Sequence, residues 1–348
     1  MKIGNREISK NRPPFIVAEI SANHNNNFNR TMKLIDEAQN AGADAVKIQT
    51  YTPDTITLKS RKEDFLIKSK KSIWYGKYLY DLYSKGSLPW EWHKAIFDRC
   101  RKKKIVCFST PFDETAVNFL EKLKCPVYKV ASFENNHIPL INKLINLKKP
   151  IIISTGLTRM KDIKYIVENF KKKKFNNFTL LKCTSSYPAP EEDTNLKCIE
   201  DLRKKFKINV GLSDHTEGIG VAIASVTYGA ALIEKHFTLN KKDGGLDDSF
   251  SINPKELRDL VVESKRAWKS LGKVYYGISK SERSSLIFKR SIYVSKNIRK
   301  NEKFTEKNIK VIRPNLGLHP KYYKFILGKK AKKDLFKANP LKLSEIKK

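Results

Sequence analysis

The first 270 residues of the chain alternate between two hydrophobic patterns. Short apolar runs rich in β-branched residues recur eight times: "FIVAEI" (15–20), "AVKIQTY" (45–51), "IVCFSTP" (105–111), "PVYKVAS" (126–132), "PIIISTG" (150–156), "FTLLKCTSS" (178–186), "INVGLSDH" (208–215) and "ALIEKHFT" (231–238). Between them lie segments with apolar residues three and four apart, such as "NRTMKLIDEAQNAG", "DETAVNFLEKL" and "MKDIKYIVENFKKK", the spacing of an amphipathic helix. The last of these, "NPKELRDLVVESKRAWKSLG", opens on Asn-Pro and closes on Gly, as a capped helix does. Strands alternating with helices predict parallel βαβ units. Eight such units in about 250 residues fit a (β/α)₈ TIM barrel, an α/β fold. A doubly wound open sheet is the alternative, and against it no G-x-G-x-x-G follows the first strand.

The pattern breaks in two places. Residues 52–90 form one long connection rich in Tyr, Lys and Ser, and a loop of that length at a barrel mouth is usually functional. A lid that merely packs is the plainer reading. After about residue 275 the βα units give way to short β-runs and tight turns. The expected organisation is a barrel over 1–272, a linker over 273–282 and a small domain over 283–348. So small a domain is expected to have little core of its own and to dock on something.

The strand ends share a second property. Nearly all turn polar at their C-terminal ends, where barrels of this kind carry their active sites. Glu19 closes the first, with Asn23 and His24 beyond. Lys47 and Gln49 share a face of the second, Ser109 and Thr110 end the third, and Lys129 and Ser132 end the fourth, followed by Glu134. Ser154 and Thr155 end the fifth. Lys182, Thr184 and Ser185 end the sixth, before Tyr187. Ser213 and His215 share a face of the seventh, as Glu234 and His236 do of the eighth. One such residue is commonly a satisfied packing residue. A whole ring of them is not, because buried charge must be paired or used.

Two chemistries are legible there. His215 and His236 end neighbouring strands and can converge. Two imidazoles with room for oxygens suit a divalent ion with open positions; the plainer alternative is a hydrogen-bonded pair holding the barrel rim. Two ligands without cysteine argue against structural zinc. Mn²⁺ fits mixed imidazole and oxygen ligation, with Mg²⁺ or Co²⁺ as substitutes. Lys47, Lys129 and Lys182 with Ser132, Ser154 and Ser213 suit a phosphate or carboxylate. One of those lysines forming a Schiff base would be a metal-free alternative, and a carbohydrate-binding protein without catalysis is a third.

Composition narrows the setting. With 40% hydrophobic residues, 18 Phe and 14 Tyr, the chain has material for a core. The net charge of +34 would suit nucleic acid, a membrane surface or anionic substrates. The lysine runs lack interleaved aromatics and no nucleic-acid-binding signature is present, so a generally lysine-rich composition is preferred, with no nucleic-acid or membrane partner. The polar start "MKIGNREISKNRPP" has no signal-peptide core, and "GVAIASVTYGAALI" is too short to span a bilayer. A soluble, cytoplasmic protein is expected. Cys100, Cys107, Cys125, Cys183 and Cys198 form no C-x-x-C pair and are read as reduced core thiols.

The motifs "AEISANH", "KIQTY", "CFSTPF", "YKVASFE", "ISTG", "CTSSYP", "GLSDHT" and "EKHF" occur in order along the chain, and in them it resembles the sialic acid synthase family. The C-terminal "KRSIYVSKNI" and "RPNLGL" resemble that family's antifreeze-like SAF domain. The resemblance implies a metal-containing barrel that condenses phosphoenolpyruvate with an amino-sugar acceptor, in a domain-swapped homodimer. It implies a phosphoenolpyruvate site at Thr110, Lys129, Ser132, Ser154 and Ser213. Sugar or acid/base positions follow at Glu19, Lys47, Gln49, Glu134, Tyr187 and Asp247, with Asp248 a rival for Asp247. His215 and His236 become the metal ligands. Arg313 matches a residue that reaches the acceptor in the partner subunit. "YTPDTITL", "EDFLIK" and "GLHPKYY" resemble the pseudaminic acid branch. So does Ser185, which stands where the neuraminate-type enzymes carry an acceptor-binding Asn. That branch takes a 2,4-diacetamido-2,4,6-trideoxy altrose; the neuraminic and legionaminic branches are the alternatives.

Overall fold

The computed structural model describes residues 1–347. The chain divides into two compact units, Met1–Gly272 and Lys273–Lys348.

The first unit opens with a hairpin, β1 (Lys2–Ile3) and β2 (Arg6–Glu7). Eight strands follow: β3 (Phe15–Glu19), β4 (Ala45–Thr50), β5 (Val106–Pro111), β6 (Tyr128–Val130), β7 (Ile151–Ser154), β8 (Phe178–Cys183), β9 (Asn209–Asp214) and β10 (Leu232–His236). They form a closed parallel barrel, β10 pairing with β3. The eight-stranded barrel read from the hydrophobic pattern is therefore present, each strand shorter than its apolar run. Both faces of the strands are buried, one inside the barrel and one under the helices, which is why they read as continuous apolar runs. The helices start where their caps require. Asn27 and Asp113 accept N-terminal amides of the helices Phe28–Asn40 and Glu114–Lys122, and Asn253 with Glu256 forms a capping box ahead of Pro254–Ser270.

The hairpin has no counterpart in the sequence reading. Ile3 and Ile8 are each 1% exposed. Asn209 at the start of β9 donates to the Ile8 carbonyl at 2.8 Å. The hairpin thus closes the barrel at the strands' N-terminal ends, leaving the opposite end for chemistry. The connection 52–90 is not a plain loop either. It holds helices Pro53–Ile56 and Leu79–Gly86. Among the described residues no helix is long and apolar enough to cross a membrane.

In the second unit, residues 273–279 have no regular structure and a 3₁₀ stretch, Lys280–Phe288, follows. β11 (Ser291–Val294) then pairs antiparallel with β12 (Ile309–Ile312). Single bridges such as Ile298 with Leu335 and Ala331 with Ile346 tie in the remaining chain. Ile292, Val294, Ile298, Phe304, Ile309 and Leu341 are among the buried side chains of a separate apolar cluster. The expectation of little core is corrected here. Residues spread over more than fifty positions meet in one small interior, which no local periodicity announces.

Candidate active site

The inward side chains at the C-terminal ends of the barrel strands meet in one polar floor. Lys47 on β4 lies 2.7 Å from Glu19 of β3 and 3.7 Å from Glu234 of β10. It also donates to Thr110 of β5 at 3.3 Å. Lys129 of β6 donates to Ser154 of β7 at 2.6 Å and lies 3.6 Å from Glu234. Ser213 of β9 donates to the same Glu234 oxygen at 3.0 Å. All seven side chains are buried. Burial would raise Glu234, but Lys129, Lys47 and the Ser213 hydroxyl hold it down to about 2. Burial alone lowers both lysines. It prevails at Lys129, whereas Glu19 and Glu234 turn the balance and raise Lys47.

Strand alternation decides which polar residues reach this floor. Thr110 points in, while its neighbour Ser109 bonds Thr50, itself joined to His93, under the helices. Asp214 and Lys235 point outward from β9 and β10 and pair at 2.7 Å, each 1% exposed at the side chain. The same alternation corrects the sequence reading at Lys182. Its ammonium turns away to the Cys183 carbonyl and Thr184 hydroxyl. Cys183 takes the inward place, 3.3 Å from the Ser132 hydroxyl and 3.9 Å from His215 Nδ1. The floor therefore has two lysines, not three, and they face two carboxylates. Burial would raise the Cys183 thiol, but adjacent His215, Ser132 and Lys129 bring it down to about 6. So the description as core thiols holds for Cys100, Cys107 and Cys125, whereas Cys183 is part of the site and Cys198 is exposed. Cys183 is the floor residue that the sequence reading lacks; Glu234 is named there at its strand end but given no role. Glu234 sits two residues before His236, and that spacing was the signal for it.

His215 and His236 do converge, with ring centroids 5.3 Å apart. His215 Nδ1 donates to the Thr184 carbonyl at 2.8 Å, which leaves Nε2 as its lone-pair nitrogen. Burial lowers His215, but Cys183 and the Thr184 carbonyl outweigh it and raise it overall. His236 Nδ1 is buried without a hydrogen-bond partner, 3.6 Å from Asp247. An orphaned ring nitrogen beside a second imidazole with a lone pair fits a metal bound through two histidines. Among the described residues no group of three or more His, Cys, Asp or Glu completes a coordination shell, so the other positions would fall to substrate oxygens and water.

Above the floor lies a cleft of about 670 Å³. Ser21, Gln49, Glu134, Tyr187, His236 and Asp247 line its polar side. Gln49 donates to Glu19 and Ser21, both at 3.0 Å, and Ser21 donates to Asp247 at 2.6 Å. Burial raises Asp247, but His236 and Ser21 outweigh it and hold it low. Asp248, the rival position, faces away to Thr238, Arg30 and the Gly245 amide, so Asp247 is the one in the cleft. Glu134 stands apart. Burial pushes it up to about 7, only partly opposed by Lys129, and its Oε2 has no partner. Tyr187 packs on His215 at 4.4 Å between ring centroids. Ser185 lies 3.7 Å from the Cys183 sulfur. Ser132 accepts the Gly156 amide at 3.2 Å, and a side chain at Gly156 would come within 2.2 Å of Ser185 Oγ and 2.6 Å of Ser132 Oγ. Arg313 belongs to the second unit, exposed just after β12.

Comparison with known proteins gives the lineage. Residues 34–276 match the NeuB family and residues 289–347 the SAF domain. A Campylobacter jejuni protein named pseudaminic acid synthase is 43% identical over 98% of each chain. An N,N'-diacetyllegionaminic acid synthase from the same organism is 36% identical, over 92% of this chain and 96% of its own. The crystal structure of an N-acetylneuraminic acid synthetase from Leptospira borgpetersenii superposes with a TM-score of 0.73 at 33% identity, covering 82% of this chain and 94% of that one. With the barrel, its polar floor and these matches together, the chain belongs to the NeuB family.

Proposed function

We propose that this chain joins C3 of phosphoenolpyruvate to the aldehyde carbon of open-chain 2,4-diacetamido-2,4,6-trideoxy-L-altrose, releasing phosphate and pseudaminic acid. The observation that carries the reading is the buried floor of two lysines and four hydroxyls beside two histidines with unengaged nitrogens. The higher identity to the pseudaminic than to the legionaminic relative supports the choice of acceptor.

In this reading Lys129, Thr110, Ser132, Ser154 and Ser213 hold the phosphate and carboxylate of phosphoenolpyruvate. Lysine heads and hydroxyls give charge-assisted hydrogen bonds to both groups. Gln49, Ser185 and Tyr187 orient the sugar, and Lys47 with Glu19 fixes the floor beneath it. His215 and His236 would hold a divalent ion, Mn²⁺ by its taste for mixed imidazole and oxygen donors, whose contribution is Lewis-acid polarisation of the aldehyde oxygen. As the C–C bond forms, that oxygen takes up a proton. Glu134, protonated up to about pH 7, is suited to give it. Water adds at C2 and phosphate leaves by C–O cleavage. Ionised Asp247 is suited to accept the proton that the water loses. The same reading makes the protein a cytoplasmic, domain-swapped homodimer in which Arg313 reaches the acceptor in the partner's barrel.

The test is mass-spectrometric detection of product from phosphoenolpyruvate and a panel of hexosamine derivatives. The diacetamido trideoxy sugar is expected to give a nine-carbon acid, with ¹⁸O from the bridging position of phosphoenolpyruvate recovered in phosphate. Product only from N-acetylmannosamine or the legionaminic precursor would move the chain to another branch. Full activity after exhaustive chelation, with borohydride trapping of a lysine, would replace the scheme by a Schiff-base one.

A further inference from the structure

The cleft has two unlike sides. Beside the polar groups stands a wall from two distant segments: Ile56, Ile67, Trp74 and Leu82 of the 52–90 connection, interrupted by Ser69, Ser72 and Tyr83, and Leu246 of the loop after β10. Trp74 joins them. Its indole N–H donates to the Leu246 carbonyl at 3.3 Å, and its ring packs against Tyr187 with 5.6 Å between centroids. Its own backbone amide donates to the Ser72 hydroxyl at 3.2 Å, which fixes the turn that presents it. Around the indole the wall is apolar, the Ser72 hydroxyl being taken by the Trp74 amide, and the indole's one polar atom is already engaged. Trp74 therefore offers incoming substrate only an aromatic surface.

Gly86 adds a constraint on the same wall. A Cβ there would come within 2.9 Å of the Tyr51 hydroxyl and 3.4 Å of Leu246. The end of the helix Leu79–Gly86 is thus pared back to let the connection pack against Leu246.

A surface of this kind discriminates in a definite sense. It gains by covering methyl groups and loses when a hydroxyl must be buried against it without a partner. We propose that Trp74 is a specificity-determining residue that reads the apolar edge of the acceptor, its deoxygenated carbon and acetamido methyl. It selects against sugars that carry a hydroxyl at that edge. This rests on the reading of the chain as a pseudaminic acid synthase, and it adds to that reading the residue that makes the choice. The polar side of the cleft, with Gln49, Tyr187 and His236, recognises what any acceptor of this class presents, an aldehyde and neighbouring polar groups. The wall recognises what is missing from this one.

The experiment measures kcat and KM for the diacetamido trideoxy sugar and for N-acetylmannosamine, in wild type, Trp74→Ala and Trp74→Phe. Alongside, KM for phosphoenolpyruvate and the Kd for Mn²⁺ are determined, the latter by titration of the resting protein. Trp74→Ala is expected to raise KM for the trideoxy sugar and shrink its kcat/KM advantage over N-acetylmannosamine by about 10–100-fold, the range for lost apolar contacts in a substrate pocket. Trp74→Phe is expected to restore most of the advantage, and the phosphoenolpyruvate KM and Mn²⁺ Kd are expected to stay within about twofold. Equal losses on both sugars, or a weakened Mn²⁺ Kd, would mean that Trp74 acts through Tyr187 and His215 as a structural prop, and would overturn the inference. An unchanged ratio would overturn it as well. A wild type that makes no product from the trideoxy sugar overturns the functional reading itself, a result separate from any behaviour of the variants.

Discussion

The floor of the barrel and the wall of its mouth are built on opposite principles. The floor is made of strand ends, one or two residues from each, and almost every side chain is charged or carries a hydroxyl. Its lysines and carboxylates hold each other at 2.7–3.7 Å. The wall comes from connecting segments and is mainly aliphatic and aromatic, without a charged side chain, and its indole N–H is tied to backbone. A rigid sheet suits groups that must stand within a few tenths of an ångström of reacting atoms. Connections tolerate insertion and exchange, and they suit the part of a site that varies with substrate. The contrast assigns chemistry to one region and choice to the other.

The comparison breaks most visibly at the histidines. His215→Ala or His236→Ala is expected to abolish turnover by several orders of magnitude while circular dichroism and the melting transition stay near wild type. The proteins should lose bound Mn²⁺ when analysed by mass spectrometry. Chelation of the wild type should reproduce the loss and Mn²⁺ reverse it. Full activity in either variant would move the chemistry off the floor.

A smaller but still large effect is expected at Glu134. Glu134→Gln should cut kcat by about 10²–10⁴, the usual worth of a general acid. Because the carboxyl is raised from 4.5 to about 7, the wild-type rate should fall as pH rises through about 7, and the variant should lose that limb. The sign for stability is the same. Between the unfolded value and about 7 the folded chain holds a proton that the unfolded chain releases, so this group's contribution declines as pH rises. A pH–rate profile unchanged by the substitution would remove Glu134 as the acid.

Complementation examines the one proposed site residue that lies outside the barrel. If the chain forms the proposed swapped dimer, co-expressed Arg313→Ala and His236→Ala chains should recover roughly a quarter of wild-type activity, because half the dimers would be mixed and each would have one complete site. No recovery, with mixed dimers shown to be present, would exclude a contribution in trans.

The least effect belongs to Lys182. With its ammonium turned from the floor to the Cys183 carbonyl and Thr184 hydroxyl, Lys182→Ala should leave kcat/KM for phosphoenolpyruvate within about twofold. A tenfold loss would put the lysine back on the floor and undo the alternation argued from Cys183.

How much of this was legible in the sequence follows the same division. The barrel was readable because eight apolar runs keep helical segments between them. The floor was readable because each run ends in polar residues. Lys182 went astray for a physical reason. "FTLLKC" is apolar on both faces, as a strand covered on both sides must be, so its phase is not fixed by its own pattern. Glu234 is legible as an inward strand-end residue by its spacing of two from His236, but nothing in the sequence shows that both floor lysines converge on it. The N-terminal hairpin has strands of two residues, too short for any period to register. Trp74 and Leu246 are 172 positions apart, and nothing local to either announces the other. The second unit's core was missed likewise, since single bridges gather it from scattered residues.

Gly156 has a consequence for how such an enzyme diverges. The space its missing side chain leaves is shared by Ser132, assigned to phosphoenolpyruvate, and Ser185, assigned to the sugar. One methyl group there would press on both hydroxyls at once, so donor and acceptor recognition are mortised together at a single backbone position. A lineage acquiring a new acceptor has little freedom at that joint, where any gain for one substrate disturbs the other. Its open course is along the mouth, where residues can be exchanged without touching the donor. Descent within this architecture is thereby steered toward new sugars and away from new chemistry.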